Sequence, residues 1–243
     1  MRPMTLLSRL LQRPVGAAFW PSQCLVCRAW PAQTLCSTCT ARFAPPTTRC
    51  RCCALPVPAG VPVCGACLRE PPPMALCLAA VPWRWPWSQC VAHWKFEGDV
   101  GLTGPLAALL LATPGVRAAL DAAAAVLPMP MAPERLAERG YNPALLLARR
   151  LAPGRVHPDG LLRIRHTPPQ RSLPRAQRLK NVRGAFQVDP LLAPRLRGQP
   201  VLLVDDVMTT GASVREAAQV LRAAGAGQVG VLVLARTDEP EHA

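Results

Sequence analysis

Cysteine pairs and one acidic, hydroxyl-rich loop are the parts of this sequence with the clearest chemical potential. All eleven cysteines fall between Cys24 and Cys90. Eight of them form four Cys-x2-Cys knuckles: Cys24 with Cys27, Cys36 with Cys39, Cys50 with Cys53, and Cys64 with Cys67. Two thiolates at this spacing turn toward one tetrahedral Zn²⁺, and a second knuckle completes four ligands. Four cysteines leave no position for water, so two structural zinc sites are expected. Pairing in sequence gives two consecutive zinc ribbons. A cross-braced pairing, first knuckle with third, satisfies the same spacings. Cys52, inside the third knuckle, competes as a ligand with Cys50 or Cys53. Cys77 and Cys90 have no such partner and are expected to be buried free thiols.

The second candidate site is the run Val201-Leu202-Leu203-Val204-Asp205-Asp206-Val207-Met208-Thr209-Thr210-Gly211-Ala212-Ser213. Its apolar start predicts a buried parallel strand. The two carboxylates then stand at the strand's C-terminal end, where α/β folds bind ligands. Thr209 to Ser213 lead into a helix expected from about Val214 to Ala224, with Gly225 as its C-terminal stop. Free N–H groups at a helix start attract phosphate, Gly211 admits close backbone approach, and three hydroxyls add donors. Ser213 and Glu216 have capping-box spacing. The loop is not a Walker A motif, because it lacks Gly-Lys-Ser/Thr. Adjacent aspartates suit sugar hydroxyls or a hydroxyl-bound Mg²⁺. A ligand with a phosphate at one end and a ribose diol at the other matches both halves.

The elements that must position these groups are legible in outline. Leu6, Leu7, Leu10, Leu11 and Val15 recur at helical spacing and predict an amphipathic entry helix within residues 1–19. Pro71-Pro72-Pro73 closes the cysteine-rich module. Trp83, Trp85 and Trp87 read as one strand face or a hydrophobic lid, with base stacking as the alternative. Cys90 to Phe96 reads as a strand, Glu97-Gly98-Asp99 as a turn, Leu102 to Ala112 as a buried helix, and Ala122 to Leu127 as a buried strand. Glu134 to Asn142 reads as a polar loop. Asn142 and Pro143 then form an N-cap and first-turn pair for a helix over Ala144 to Leu151. Residues 163–183 are too rich in Pro and Arg for a core element, and fit a mobile loop that closes over a phosphate ligand.

Taken together these motifs resemble a known family. Val201 to Ser213 looks like the phosphoribosyl-pyrophosphate (PRPP) signature of type I phosphoribosyltransferases. The four knuckles, Lys95-Phe96-x-Gly98, Pro128-x-Pro130-x4-Arg135-x3-Arg139-Gly140-Tyr141-Asn142, and Thr167-x2-Gln170-x2-Leu173-x4-Arg178-x2-Asn181 precede it in the order of the ComF/ComFC competence proteins. The resemblance implies an α/β fold: a type I phosphoribosyltransferase-like parallel sheet flanked by helices, with a small N-terminal zinc-ribbon module. It implies that Asp205 and Asp206 hold the ribose hydroxyls, and that Thr209, Thr210, Gly211, Ala212 and Ser213 cradle the 5′-phosphate. Arg135, Arg139 and Gly140 would lie at the pyrophosphate side. Thr167, Gln170, Arg171, Arg178 and Asn181 would belong to the flexible closing loop. Pro143 and the methionines Met129 and Met131 depart from the family's usual residues on that pyrophosphate side.

The chain has 243 residues and a formal charge of +14. That length accommodates one mid-sized domain and a small module, expected at 74–243 and 20–73. No run approaches the ~18 apolar residues of a spanning helix, and Arg9 and Arg13 interrupt any signal-peptide core. The expected location is cytoplasmic, with peripheral contact to the inner membrane as an option. Residues 131–200 carry 14 basic against 4 acidic residues, whereas 201–243 carry 3 against 6. This regional surplus suits a polyanion. Two functions follow. One is a competence factor that binds Mg²⁺–PRPP and assists single-stranded DNA handling, with DNA-uptake machinery as a partner. The other is a working phosphoribosyltransferase (a pentosyltransferase) of nucleotide salvage or biosynthesis, with Asp205, Asp206, Arg135 and Arg139 as its catalytic groups.

Overall fold

The computed structural model describes residues 22–30, 33–165 and 182–238. The entry helix expected within residues 1–19 lies outside them. The cysteine-rich segment contributes two short helices, α1 (Ser37–Phe43) and α2 (Gly65–Arg69), each with a cysteine at its N-cap. The remaining chain runs β1 (Leu76–Pro82), α3 (Trp87–Phe96), a 3₁₀ turn (Val100–Leu102), α4 (Thr103–Ala112), α5 (Val116–Ala122) and β2 (Ala125–Pro128). Then come α6 (Pro133–Arg139), α7 (Pro143–Leu151), the antiparallel pair β3 (Leu161–Arg163) and β4 (Phe186–Val188), and α8 (Ala193–Leu196). The chain closes with β5 (Pro200–Met208), α9 (Ala212–Ala223) and β6 (Gln228–Arg236).

Strands β1, β6, β5 and β2, in that order, form one parallel sheet. The central pair, β5 and β6, is apolar almost throughout, as a strand covered on both faces must be. Alternate side chains feed two cores. Val201, Leu203, Val231 and Val233 pack with Val214, Ala217 and Leu221 of α9. Leu202, Val204, Leu232 and Leu234 pack with Leu106, Leu110, Leu147 and Trp94 on the other face. Each fully buried leucine contributes ~1.5–3 kcal/mol of transfer free energy. Both sheet edges are occupied. Cys77 N–H of β1 donates to Arg51 O at 2.6 Å, and Val126 of β2 exchanges bonds with Arg155 O and His157 N–H at 3.2 and 3.0 Å.

Several local expectations are corrected. Cys90 to Phe96 is helical: Trp87, Cys90, Val91 and Trp94 are buried at 3.6-residue spacing, a pattern that the intervening His93 and Lys95 disguised as alternation. Glu134 to Arg139 is helix α6, not loop. It buries no side chain, so it has no apolar stripe to reveal it; Pro133 in its first turn and Gly140 (φ 79°) at its end were the available signals. Ala122 ends α5, and β2 begins three residues later. The tryptophans do not share a strand face, because β1 stops at Pro82. Trp87 donates its indole N–H to Phe43 O at 2.7 Å, and Trp85 meets the Phe43 ring edge-on at 4.9 Å.

Candidate functional site

The cysteines come together as two groups of four. The Sγ atoms of Cys24, Cys27, Cys36 and Cys39 lie within 4.8 Å of one another, as do those of Cys50, Cys53, Cys64 and Cys67. Pairing is therefore sequential, and the cross-braced alternative is excluded. Cys27 and Cys36 are 3.8 Å apart, and Cys53 and Cys64 are 3.6 Å apart. Four sulfurs at ~2.3 Å from a tetrahedral Zn²⁺ stand ~3.8 Å apart, so both groups fit that ion. Cys52 belongs to neither group. In each group the first knuckle is a tight turn whose next residue takes a left-handed φ, Arg28 at 62° and Ala54 at 57°. The second knuckle opens a helix. Backbone N–H groups of Cys36 and Cys64 point at the sulfurs of Cys24 and Cys50, at 3.5 and 3.3 Å.

These thiols cannot all ionise without a cation. Burial raises Cys24 and Cys50, but backbone N–H donors outweigh it and bring them to about 6 and about 7. Burial, then neighbouring cysteines, pushes Cys39 and Cys67 far up, while burial takes Cys53 to about 11. A divalent metal resolves this conflict by holding all four as thiolates. Cys77 and Cys90 are buried thiols, raised by burial to about 12 and about 11.

The second site opens at the C-terminal ends of β2 and β5. A cavity of about 1340 Å³ is lined by Asp205, Asp206, Thr209 and Ser213 on one side and by Arg135, Arg139, Tyr141 and Asn142 on the other. Strand β5 continues past both aspartates to Met208. Gly211, at φ 77°, is the N-cap of α9, so the helix begins at Ala212 and its first N–H groups have no capping side chain from that residue. Thr210 Oγ1 accepts from Ala212 N–H at 3.4 Å. The expected capping box is absent. Ser213 sits inside the first turn, and Glu216 instead accepts from Gly184 N–H at 2.6 Å, tying α9 to the turn before β4.

The acidic pair is not symmetric. Asp205 Oδ1 accepts from Asp206 N–H at 2.8 Å. Asp206 Oδ2 pairs with Lys95 Nζ at 2.6 Å, and both side chains are largely enclosed. Burial, then the adjacent Asp206 charge, raises Asp205 to about 7, while Lys95 opposes the rise. Lys95 was recognised only as part of a motif; its role required α3 to be helical, because that places it at the helix end facing β5. Asn142 does double duty. Its Oδ1 caps α7 by accepting from Ala144 N–H at 2.9 Å, and its Nδ2 donates to Met129 O at 3.0 Å. The loop after β2 is thereby pinned to α7. Tyr141 Oη donates to Trp94 O, and the Arg139 guanidinium lies 5.0 Å from the Phe96 ring centroid.

The structure thus brings Asp205, Asp206, Thr209, Ser213, Arg135 and Arg139 to one cavity, with Gly211 and Ala212 buried behind it. Thr167, Gln170, Arg171, Arg178 and Asn181 lie outside the described residues. Arg236, which sequence reasoning passed over, is buried beneath the loop.

Comparison with known proteins agrees with this architecture. A family model described as the phosphoribosyl transferase domain matches residues 137–242. DNA utilization protein YhgH of Escherichia coli O6:H1 is 30% identical over 230 residues, covering 89% of this chain and 98% of that protein. Competence protein F of Haemophilus influenzae is 31% identical over 179 residues, covering 71% of this chain and 78% of that protein. Orotate phosphoribosyltransferase of Xanthomonas campestris pv. campestris is 40% identical over 63 residues, covering 26% of this chain and 29% of that protein. Among the described residues no single helix is long and apolar enough to cross a membrane.

Proposed function

Given that the chain belongs to the ComF/ComFC family, whose members include competence and DNA utilization proteins with a phosphoribosyltransferase domain, we propose that it binds PRPP with Mg²⁺ at the Asp205–Asp206 loop and serves in handling single-stranded DNA. The observation that carries the ligand assignment is the single cavity shared by two carboxylates, an α9 start behind Gly211, and the arginines of α6. A phosphate fits the N–H groups and hydroxyls from Thr209 to Ser213. A ribose diol fits Asp205 and Asp206. A pyrophosphate fits Arg135 and Arg139, with the segment from Thr167 to Asn181 closing over it. Mg²⁺ takes hard oxygen ligands, and the aspartates and a diphosphate supply them. The surplus of basic residues in 131–200 supplies the DNA contact, which is salt-sensitive and sequence-tolerant. We place the module boundary near Pro73 and the protein in the cytoplasm.

The likeness to orotate phosphoribosyltransferase favours one second reading, a working transferase. Pyrophosphate would leave the anomeric carbon, the arginines and Mg²⁺ would take up its charge, and a nitrogen acceptor would attack. Pyrophosphate release from Mg²⁺–PRPP, measured for zinc-loaded protein with a nucleobase panel and with single-stranded DNA, separates the two. Binding without release supports the DNA-handling reading. Base-dependent release supports the transferase and names its acceptor class. Absence of binding refutes both assignments of the site.

A further inference from the structure

Arg236 ends β6 and is only 5% exposed, although it is charged. Its Nε donates to Cys53 O at 2.8 Å. One terminal nitrogen donates to Met208 O at 3.2 Å, to Thr209 O, and to Thr237 O at 2.7 Å. Cys53 is a member of the second four-cysteine group, and Thr209 is the first residue of the phosphate-cradling loop. One guanidinium therefore grips the backbone of both sites.

A second path runs beside it. Arg51, in the knuckle between Cys50 and Cys53, accepts from Cys77 N–H at 2.6 Å. The Cys77 thiol lies 4.0 Å from the Met208 sulfur. The Met208 side chain in turn underlies Gly211, whose missing Cβ would stand 3.5 Å from Met208 Cε. Cys50, Cys53, Cys67, Cys77, Met208 and Val214 belong to one continuous core. The first four-cysteine group forms its own small cluster with Val26 and Phe43, which pack in turn on the core of the sheet's other face and not on this one.

Peptide units are planar and trans, so an N–H points opposite to the carbonyl before it. Holding the carbonyls of Met208 and Thr209 toward Arg236 turns the N–H groups of Thr209 and Thr210 away from the metal side. This orients the loop before any ligand arrives. Charge adds to the link. Four thiolates around a divalent ion carry a net −2, which offsets a buried guanidinium.

We propose that Arg236 is a positioning residue joining the second four-cysteine site to the phosphate-cradling loop, so that metal at one and phosphoribosyl ligand at the other strengthen each other's binding. This rests on the ligand assignment made above. Linkage is reciprocal, and coupling of this kind spans about 5–150-fold.

The test uses the full chain loaded with two zinc ions. Zinc affinity is measured by chelator competition with and without saturating Mg²⁺–PRPP, and PRPP affinity by calorimetry. One zinc of the two should bind about tenfold more tightly with PRPP present, and the other should not change. Cys24→Ser, which keeps only the second site, should retain the effect. Arg236→Gln should weaken PRPP binding and abolish the zinc effect, with Arg236→Lys recovering part of both. PRPP binding that leaves both zinc affinities unchanged overturns the proposal, and this needs no variant to fold. So does a protected zinc that disappears in Cys24→Ser, or an Arg236→Gln that loosens zinc equally with and without PRPP. If doubly loaded wild type does not bind Mg²⁺–PRPP, the ligand assignment itself fails and the coupling falls with it.

Discussion

Replacing Lys95 by Met strips Asp206 of a cation 2.6 Å away while preserving most of the side chain's apolar stem. Removing one partner of a buried ion pair costs about 3–5 kcal/mol, because the remaining charge is left uncompensated. Lys95 and Asp206 side chains are 11% and 14% exposed, so water relieves part of this. We expect a loss of about 2–3 kcal/mol in the ligand-free protein, which for this chain length lowers Tm by roughly 5–10 °C. The assay is a double-mutant cycle with Lys95→Met, Asp206→Asn and the combination, read by thermal denaturation of zinc-loaded protein without Mg²⁺. The combined variant should be more stable than Lys95→Met, giving a coupling above about 1.5 kcal/mol. Mg²⁺ alone should then stabilise Lys95→Met more than wild type, because the Asp206 carboxylate has lost its paired cation. A coupling below about 0.5 kcal/mol, or an equal response to Mg²⁺, would refute the view that Lys95 holds the acidic pair ready for its ligand.

Asp205 titrates near 7 in the folded chain, well above an ordinary carboxyl. Its proton stabilises the ligand-free fold at low pH, and that contribution fades as pH rises from about 4 through about 7. Mg²⁺–PRPP needs the carboxylate, so its affinity should climb over pH 6–8 in calorimetry, and Asp205→Asn should flatten the climb. Metal analysis should find two zinc ions per chain, and Cys24→Ser or Cys50→Ser should each remove one. The second loss should lower Tm more, because Cys50, Cys53 and Cys67 are themselves part of the sheet's core, whereas the first group meets the sheet only through neighbours such as Val26 and Phe43. Gly211→Ala should cost about 1–2 kcal/mol from its left-handed φ and reduce PRPP affinity in the same calorimetry. Charge reversal of Arg171, Arg175 and Arg178 to Glu should lower single-stranded DNA affinity and reduce the log–log salt slope by about 2; an unchanged slope removes those residues from the DNA contact.

The sheet's centre and the metal ligands were readable because each writes itself locally. Val201 to Val204 is a continuous apolar run, and a knuckle needs only two cysteines three apart. Asn142 and Pro143 announced their helix for the same reason. The capping box failed because Gly211 already serves as the cap, leaving Glu216 free for a partner 32 residues away. Helix α6 was invisible because it buries nothing, and α3 was misread because two polar residues interrupt its stripe. Lys95 and Arg236 escaped because their partners, Asp206 and the carbonyls around Cys53 and Thr209, are more than a hundred residues distant along the chain or belong to the backbone. No periodicity encodes such a meeting.

The order of strands in the sheet also dictates an order of assembly. Among the described residues, strands β1 and β2 flank the sheet, and the strands they pair with in it, β6 and β5, come last in sequence. During synthesis at ~5–20 residues per second, β1 waits roughly 8–30 s for β6 to follow it. Its apolar neighbours are without their sheet partners throughout that interval, and such non-local pairing folds slowly. The four-cysteine groups are different, since each spans fewer than twenty residues and closes as soon as its second knuckle emerges. Metal capture therefore comes first and the sheet last, which makes the final strand the step at which the nascent chain escapes aggregation.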